Sequence, residues 1–154
     1  MKNMRTMPVV AVLLVLVAQV TFADTVIPAD RLPQQIQDTV AAAFPESRIR
    51  RAQADAHEYE VVLDDGTEIE FYQDGSWKEI DSHAGIPESL LPEFVTAYVG
   101  EHFRDVTVCK AEKNRKRLAV ELSDGTELYF SHDGHCIGEK SGRRHGRHHD
   151  RHHW

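Results

Sequence analysis

The sequence is poor in the residues that mark several common classes of protein. Six prolines and nine glycines in 154 residues are too few for a collagen-like chain. The apolar run at Val9–Ala18 is well short of the ~20 residues that a membrane-spanning helix needs, which argues against a polytopic membrane protein. With 41% hydrophobic and 28% charged residues, the composition is that of a soluble folded chain and excludes a wholly disordered one. The length suits one domain or two small ones.

Basic residues are scarce in the central part of the chain. Residues 24–140 contain 12 Lys and Arg against 24 Asp and Glu, a formal charge of −12. Residues 141–154 are positive instead, because they contain four Arg and one Asp. An acidic body repels the phosphate backbone, so we do not expect nucleic acid as a partner.

The segment 1–23 is typical of a secretory signal peptide. Its first seven residues carry Lys2 and Arg5, an apolar run follows, and the small residues Thr21 and Ala23 precede the expected cut. An uncleaved anchor is disfavoured, because the apolar run is too short to span a bilayer. We therefore predict cleavage after Ala23 and export to the periplasm.

The rest of the chain contains an internal duplication. A shift of 59 residues aligns 27–79 with 86–138 without a gap. A duplicated unit of this length buries its apolar face better beside its copy than alone. We therefore predict a first unit at 24–84 and a second at 85–140. Identical pairs include Ile27/Ile86, Pro28/Pro87, Leu32/Leu91, Pro33/Pro92, Phe44/Phe103, Val61/Val120, Leu63/Leu122 and Phe71/Phe130.

Each copy has the pattern of a helix followed by an antiparallel meander. Apolar residues recur every fourth position from Leu32 to Phe44 and from Leu91 to Phe103, as on one face of a helix. In the predicted strands that follow, apolar and polar residues alternate with period two, and Asp-Gly pairs mark the hairpin turns. The prediction is an α+β fold of two tandem units, each a helix on an antiparallel sheet of about four strands whose other face is polar.

The second helix carries a wider apolar stripe than the first. Phe94 and Tyr98 stand where the first helix has Gln35 and Thr39. Since this extra surface needs a cover, we predict that the two units depend on each other.

The turn segments resemble a known family. DDGTEIEFYQDGSW at 64–77 and its copy SDGTELYFSHDGHC at 123–136, in an exported chain, are similar to PepSY-like periplasmic proteins, whose fold is related to β-lactamase inhibitor protein (BLIP-like). The resemblance covers about 27–138 and rests on turn and core residues. It implies a non-enzymatic periplasmic module with a binding or inhibitory role, and it supplies no catalytic residues.

No constellation of reactive residues indicates an enzyme. The sequence lacks a Gly-x-Ser-x-Gly elbow and a His-Glu-x-x-His motif, and His57, His83 and His102 are isolated from one another. The Asp-Gly pairs lie within period-two patterns rather than among alternating carboxylates, so we interpret them as turns and not as calcium loops.

Cys109 and Cys136 leave two alternatives. A pair of cysteines in an exported chain favours a disulfide. However, the predicted first and fourth strands of a meander lie about three spacings of ~4.8 Å apart, too far for a bridge. The alternative is a free Cys136 that forms a weak candidate metal site with His132 and His135.

The segment 141–154 carries the strongest chemical signal, and we predict a disordered His/Arg-rich tail. Its histidines are spaced so that they could chelate Zn, Ni or Cu, although no cofactor is required. A basic tail could also fold back on an acidic body or contact an anionic membrane surface, and a solvated extension is the plainer interpretation. The candidate metal ligands are His145, His148, His149, His152 and His153.

These observations favour an exported non-catalytic module of binding or inhibitory type whose partner is a periplasmic protein. The alternative is a periplasmic accessory protein that binds or senses divalent metal through the tail. In the first case we expect the polar sheet face to contact the partner. The predicted contact residues are Glu58, Glu60, Glu68, Glu70, Tyr72, Glu121, Glu127 and Tyr129.

Overall fold

The computed structural model describes residues 25–142, so the predicted signal peptide and the tail histidines lie outside the described residues. The strands of this part are β1 (Thr25–Ile27), β2 (Ile49–Ala54), β3 (Glu58–Leu63), β4 (Glu68–Tyr72), β5 (Trp77–Asp81), β6 (Val108–Lys113), β7 (Leu118–Leu122), β8 (Glu127–Phe130) and β9 (Cys136–Lys140). The α-helices are α1 (Gln34–Ala43) and α2 (Glu93–His102), and short 3-10 turns at Ala29–Arg31 and Glu88–Leu90 precede them.

All the described strands form one antiparallel sheet, in which each strand pairs with the next in sequence from β1 to β9. The hairpin turns are built as the Asp-Gly pairs predict. At the β3–β4 turn, Gly66 has a φ of 88°, which a residue with a side chain rarely adopts. The Asp65 carboxylate accepts a hydrogen bond from the Thr67 backbone N–H at 2.8 Å, which stabilises the turn.

Period-two alternation decides which face of the sheet is buried. A row of directly opposite side chains is apolar from β1 to β8 and forms the centre of the inner face. On β9 the row ends with Glu139, a charge that discourages a further strand from pairing at this edge. The apolar members are Ile27, Ala52, Val61, Ile69, Ile80, Ala111, Val120 and Leu128.

Both helices pack on the inner face. Ile36 and Val40 of α1 and Val95 and Val99 of α2 are buried in the same hydrophobic cluster as the inward side chains of the sheet. The predicted α+β class and antiparallel meander are therefore confirmed. Within residues 25–142, no helix is long and apolar enough to cross a membrane.

The two copies of the repeat share one continuous sheet rather than forming separate ones. β5 pairs with β6 and places Ile80 opposite Ala111, the same register by which Ile27 of β1 lies opposite Ala52 of β2. β5 therefore occupies, beside the second copy, the position that β1 occupies beside the first. The division into units 24–84 and 85–140 stays a prediction, and below these ranges are called the first and second halves.

Side chains also join the halves. The Trp77 indole N–H donates a 2.9 Å hydrogen bond to the Leu90 carbonyl, and the Lys113 ammonium lies 3.5 Å from the centre of the Trp77 ring. The Tyr72 hydroxyl donates to the Lys113 carbonyl at 3.0 Å. These contacts cross from one half to the other and support the prediction that the halves depend on each other.

The wider apolar stripe of α2 has a different cover from the one expected. The ring centres of Phe94 and Tyr98 lie 5.6 Å and 5.4 Å from that of Phe130 in β8. Phe94 also fits against Gly134, where an added Cβ would come within 3.1 Å of its ring. The cover thus comes from the second half itself, so the predicted dependence between halves is left to the β5–β6 pairing, here called the joint, and the contacts beside it.

The cysteines do not form a disulfide. Cys109 in β6 and Cys136 in β9 are both free thiols. Two other strands lie between β6 and β9 in the sheet, which keeps the sulfur atoms apart, as the meander geometry predicts.

Candidate functional site: the outer face of the sheet

The side of the sheet away from α1 and α2, here called the outer face, is rich in carboxylates. Its central row runs through directly opposite residues from β2 to β8: Gln53, Glu60, Glu70, Glu79, Glu112, Ala119 and Tyr129. A second row crosses β4 to β9 through Glu68, Asp81, Lys110, Glu121, Glu127 and Lys140.

The structure brings together most of the predicted contact residues on this face. Glu60, Glu70 and Tyr129 lie in the central row, and Glu68, Glu121 and Glu127 lie in the second row. Glu58 and Tyr72 are opposite each other at the ends of β3 and β4. The strand register is as predicted, since Phe71 is fully buried while the neighbouring Tyr72 is 36% exposed. Their role in binding a partner stays a prediction.

Sequence reasoning missed the middle of the outer face. Glu79 and Asp81 of β5 and Lys110 and Glu112 of β6 also point outward, on either side of the joint. The signal was present, because Ile80 and its partner on β6 are apolar between charged neighbours. It was overlooked because these residues form one surface only once β5 pairs with β6.

The central row places like charges next to one another. Glu60 lies opposite Glu70, Glu70 opposite Glu79, and Glu79 opposite Glu112. Like charges directly opposite on adjacent strands destabilise a sheet, by a few tenths to about 1 kcal/mol per pair. Each such pair costs stability unless a cation lies beside it, and beside Glu60 the Arg51 guanidinium lies 2.6 Å away.

Two lysines offset part of this repulsion. The Lys78 ammonium lies 2.6 Å from Glu58 and 2.7 Å from Glu70, and hydrogen bonds to these carboxylates raise its pKa. The Lys110 ammonium lies 2.5 Å from Glu79 across the joint, and this hydrogen bond raises its pKa too. Lys110 contacts a carboxylate on the neighbouring strand β5, and Lys78 contacts carboxylates on β4 and on β3 beyond it, so both lysines link strands.

The two halves differ in which lysine pairs with the carboxylates of the outer face. Lys78 stands at a bulge in β5, and its counterpart at the matching bulge in β9 is Ile137, whose surface is 60% exposed. The second half uses Lys140 instead, which lies 2.6 Å from Glu127. The hydrogen bond from Lys140, together with one from the Tyr129 hydroxyl, lowers the pKa of Glu127.

Three carboxylates of the outer face, Glu68, Glu112 and Glu121, make no ion pair or side-chain hydrogen bond within the described part of the chain. Two shallow depressions lie beside them. One has a volume of about 140 Å³ and the other about 170 Å³. The first is lined by Glu60, Glu68, Glu70, Glu79, Asp81 and Lys110. The second is lined by Lys110, Glu112, Arg117, Ala119, Val120, Glu121, Glu127 and Tyr129.

The weaker metal set is not assembled. Residues 25–142 contain no group of three or more His, Cys, Asp or Glu side chains that could hold a metal ion. His132 and His135 lie in or beside the exposed β8–β9 turn, whereas the Cys136 thiol is half-buried against the core and interacts with Tyr98 of α2. The tail histidines, which are the stronger candidates, lie outside the described residues.

Solved structures share this architecture. A "putative calcium-regulated periplasmic protein" from Bacteroides thetaiotaomicron is 28% identical with a TM-score of 0.72, over 77% of this chain and 97% of that one. A periplasmic protein from Bacteroides vulgatus is 25% identical with a TM-score of 0.72, over 79% and 99%. Another from the same species is 26% identical with a TM-score of 0.70, over 77% and 99%. No curated protein matches the chain.

The fold and the outer face define an internally duplicated α+β protein with one helix-covered and one acidic sheet surface. A family model described as "Putative beta-lactamase-inhibitor-like, PepSY-like" matches residues 19–61 and again 57–138. The chain belongs to this PepSY-like family, and the resemblance seen in the turn segments is confirmed. The second match begins at residue 57, inside the first half, so the two matches do not coincide with the copies at 27–79 and 86–138.

Proposed function

We propose that the protein is an exported, non-catalytic binding module that holds a periplasmic partner protein on its outer face. The row of directly opposed glutamates across β3 to β6 carries the proposal. Glu60, Glu70 and Glu79 each have one cation already, whereas Glu112 has none among residues 25–142. The surrounding face stays rich in carboxylates, so positive charge from a basic surface further lowers the repulsion in this row. The family description and the periplasmic neighbours support the same class of function.

The partner therefore presents lysine or arginine side chains to the face. The carboxylates without a cationic contact, Glu68, Glu112 and Glu121, are available to it. Tyr129 adds an aromatic ring that already stacks with a cation, since the Arg117 guanidinium lies 4.1 Å from its centre. Tyrosine and arginine are enriched in protein interfaces, whereas small-molecule pockets are concave and mostly apolar, unlike this face.

The test is capture from periplasmic extract by the chain from residue 24, followed by mass spectrometry. In one variant Glu70, Glu79 and Glu112 are all changed to Gln, which removes charge from the centre of the outer face. The matched control changes Glu88, Glu93 and Glu101 to Gln, the same number of charges on the helix side. We expect a captured protein that the control retains and the outer-face variant loses. Equal retention by both variants would show that the outer face is not the binding surface.

The family description also raises an inhibitory form of this function. Adding the purified protein to a β-lactamase hydrolysis assay tests it directly, with the outer-face variant as the comparison. Inhibition that the variant loses would identify the partner class. If hydrolysis is unchanged, binding serves some other end.

A second candidate is divalent-metal binding by residues 143–154. It rests on the clustering of five of the ten histidines in this segment. Metal binding by this segment and partner binding on the outer face use different residues.

A further inference from the structure

The C-terminal segment leaves the fold beside the outer face. Gly142 lies so close to the β7–β8 turn that an added Cβ would be 2.6 Å from the Asp124 carbonyl oxygen. Just before it, Lys140 contacts Glu127 in the second row of the outer face. Residues 143–154 therefore follow closely on a residue, Lys140, whose side chain lies on the outer face, and on a glycine at the β7–β8 turn.

The segment and the face have opposite charges. Residues 143–154 contain Arg143, Arg144, Arg147 and Arg151 against Asp150, a formal charge of +3 with neutral histidines. The body at 24–140 has a formal charge of −12. Near the start of the segment, Glu112 and Glu121 line the depression of about 170 Å³ and have no ion pair in the described part of the chain.

The reach is sufficient. Twelve residues span up to ~40 Å when extended, at ~3.3 Å per residue. From β9, where the segment begins, to β4 is five strand spacings, or about 24 Å. A tether of this length keeps the segment at an effective concentration of the order of millimolar, so even weak contacts populate a docked state.

We propose that residues 143–154 dock on the outer face of their own chain, over β6–β8, and thereby compete with the basic partner. The arginines replace the positive charge that the partner would bring to Glu112, Glu121 and the central row. The fold thus includes its own competitor, and partner binding requires the segment to be displaced. The competition rests on the proposed function, whereas the docking itself can be tested without any partner.

The experiment compares backbone amide NMR spectra of the chain from residue 24 with those of a variant in which the four arginines of the segment are changed to Gln. We expect shift differences on β6–β8, at Glu112, Ala119, Glu121 and Tyr129. These differences disappear at about 1 M NaCl, where the Debye length is ~3 Å. The shift differences also become smaller when Glu112→Gln and Glu121→Gln are introduced into both of the proteins that are compared.

The matched control introduces Glu93→Gln and Glu101→Gln on α2, which leaves the shift differences intact. Shift differences confined to residues beside Gly142, or spread over α1 and α2, would overturn the docking. Differences that survive high salt would also overturn it, because the proposed contact is electrostatic. A docked segment together with unchanged partner capture by the arginine variant would leave the docking in place and refute the competition.

Discussion

Phe130 is the aromatic that ties α2 to the sheet, and replacing it tests the packing of the second half. Its side chain is fully buried, and its ring meets that of Phe94 in a tilted arrangement at 5.6 Å and that of Tyr98 edge-on at 5.4 Å. Replacing a buried phenylalanine by alanine costs about 3–5 kcal/mol, a range that already includes lost ring contacts. Two aromatic pairs, each contributing about 0.5–1.5 kcal/mol beyond the buried area, put Phe130 in the upper half of this range. We therefore expect Phe130→Ala to lower the free energy of unfolding by about 4–5 kcal/mol.

The loss is measured by urea unfolding followed by far-UV circular dichroism, as a shift in midpoint at constant slope. If Phe130→Ala leaves too little native protein, Phe130→Leu keeps most of the volume, and we expect a loss of about 1–1.5 kcal/mol. A double-mutant cycle of Phe130→Leu with Phe94→Leu isolates the ring contact, with an expected coupling of about 0.5–1 kcal/mol.

The matched control is Tyr72→Ala. Tyr72 lies on the outer face and loses one hydrogen bond to the Lys113 carbonyl, so we expect a cost of only about 1 kcal/mol. Equal destabilisation by Phe130→Ala and Tyr72→Ala would mean that the buried and exposed faces are inverted. A coupling of zero between positions 94 and 130 would refute the packing of α2 on β8.

Three further predictions concern the charges. Glu112→Gln removes the like-charge contact with Glu79 and should raise the free energy of unfolding by about 0.5 kcal/mol. The control Glu101→Gln on α2 should leave it nearly unchanged, and urea unfolding of both variants measures the difference. The Ser47 hydroxyl donates a hydrogen bond to the Asp65 carboxylate and lowers the pKa of Asp65 below its ordinary value. The ionised Asp65 therefore stabilises the folded protein at pH values above its pKa in the unfolded chain, and this contribution is lost as the pH falls through its pKa in the folded protein. Asp65→Asn should therefore reduce the amount by which the free energy of unfolding falls between about pH 6 and about pH 3. An unchanged fall would contradict the prediction. Residues 143–154 should bind Zn, Ni or Cu at about pH 7.5 and much more weakly at about pH 5.5, because histidine must be neutral to ligate a metal. Calorimetric titration of the protein with and without this segment measures the binding. Unchanged binding after removal of the segment would place the site elsewhere.

The period-two pattern was enough to orient most of the sheet from sequence. Phe71 is buried and Glu70 faces outward as expected, because alternation along a strand is a local property. The hairpin turns were also predictable, since the Asp-Gly pairs require a backbone conformation that few other residues accept. The three-residue strand β1 was not, because three residues are too few to show a period.

The candidate site was predicted at its two ends and missed in its middle. Glu60 and Glu127 were placed on the outer face, whereas Glu79 and Glu112 were not. Which strand pairs with which is a non-local choice, and nothing in either strand alone states that β5 and β6 are neighbours. The same limit explains why Phe94 was expected to pack against the first half, whereas it packs against Phe130 of the second half.

By itself, the sequence determined the duplication, the α+β class, the positions of the Asp-Gly turns and the acidic character of one face, since each depends on spacing along a short stretch of chain. Only the tertiary structure decided that the two copies share one sheet, and that decision made the outer face continuous. The physical reason is that β5 presents to β6 the same apolar residue, in the same register, that β1 presents to β2. Pairing there buries Ile80 and brings the glutamates of both halves into one row.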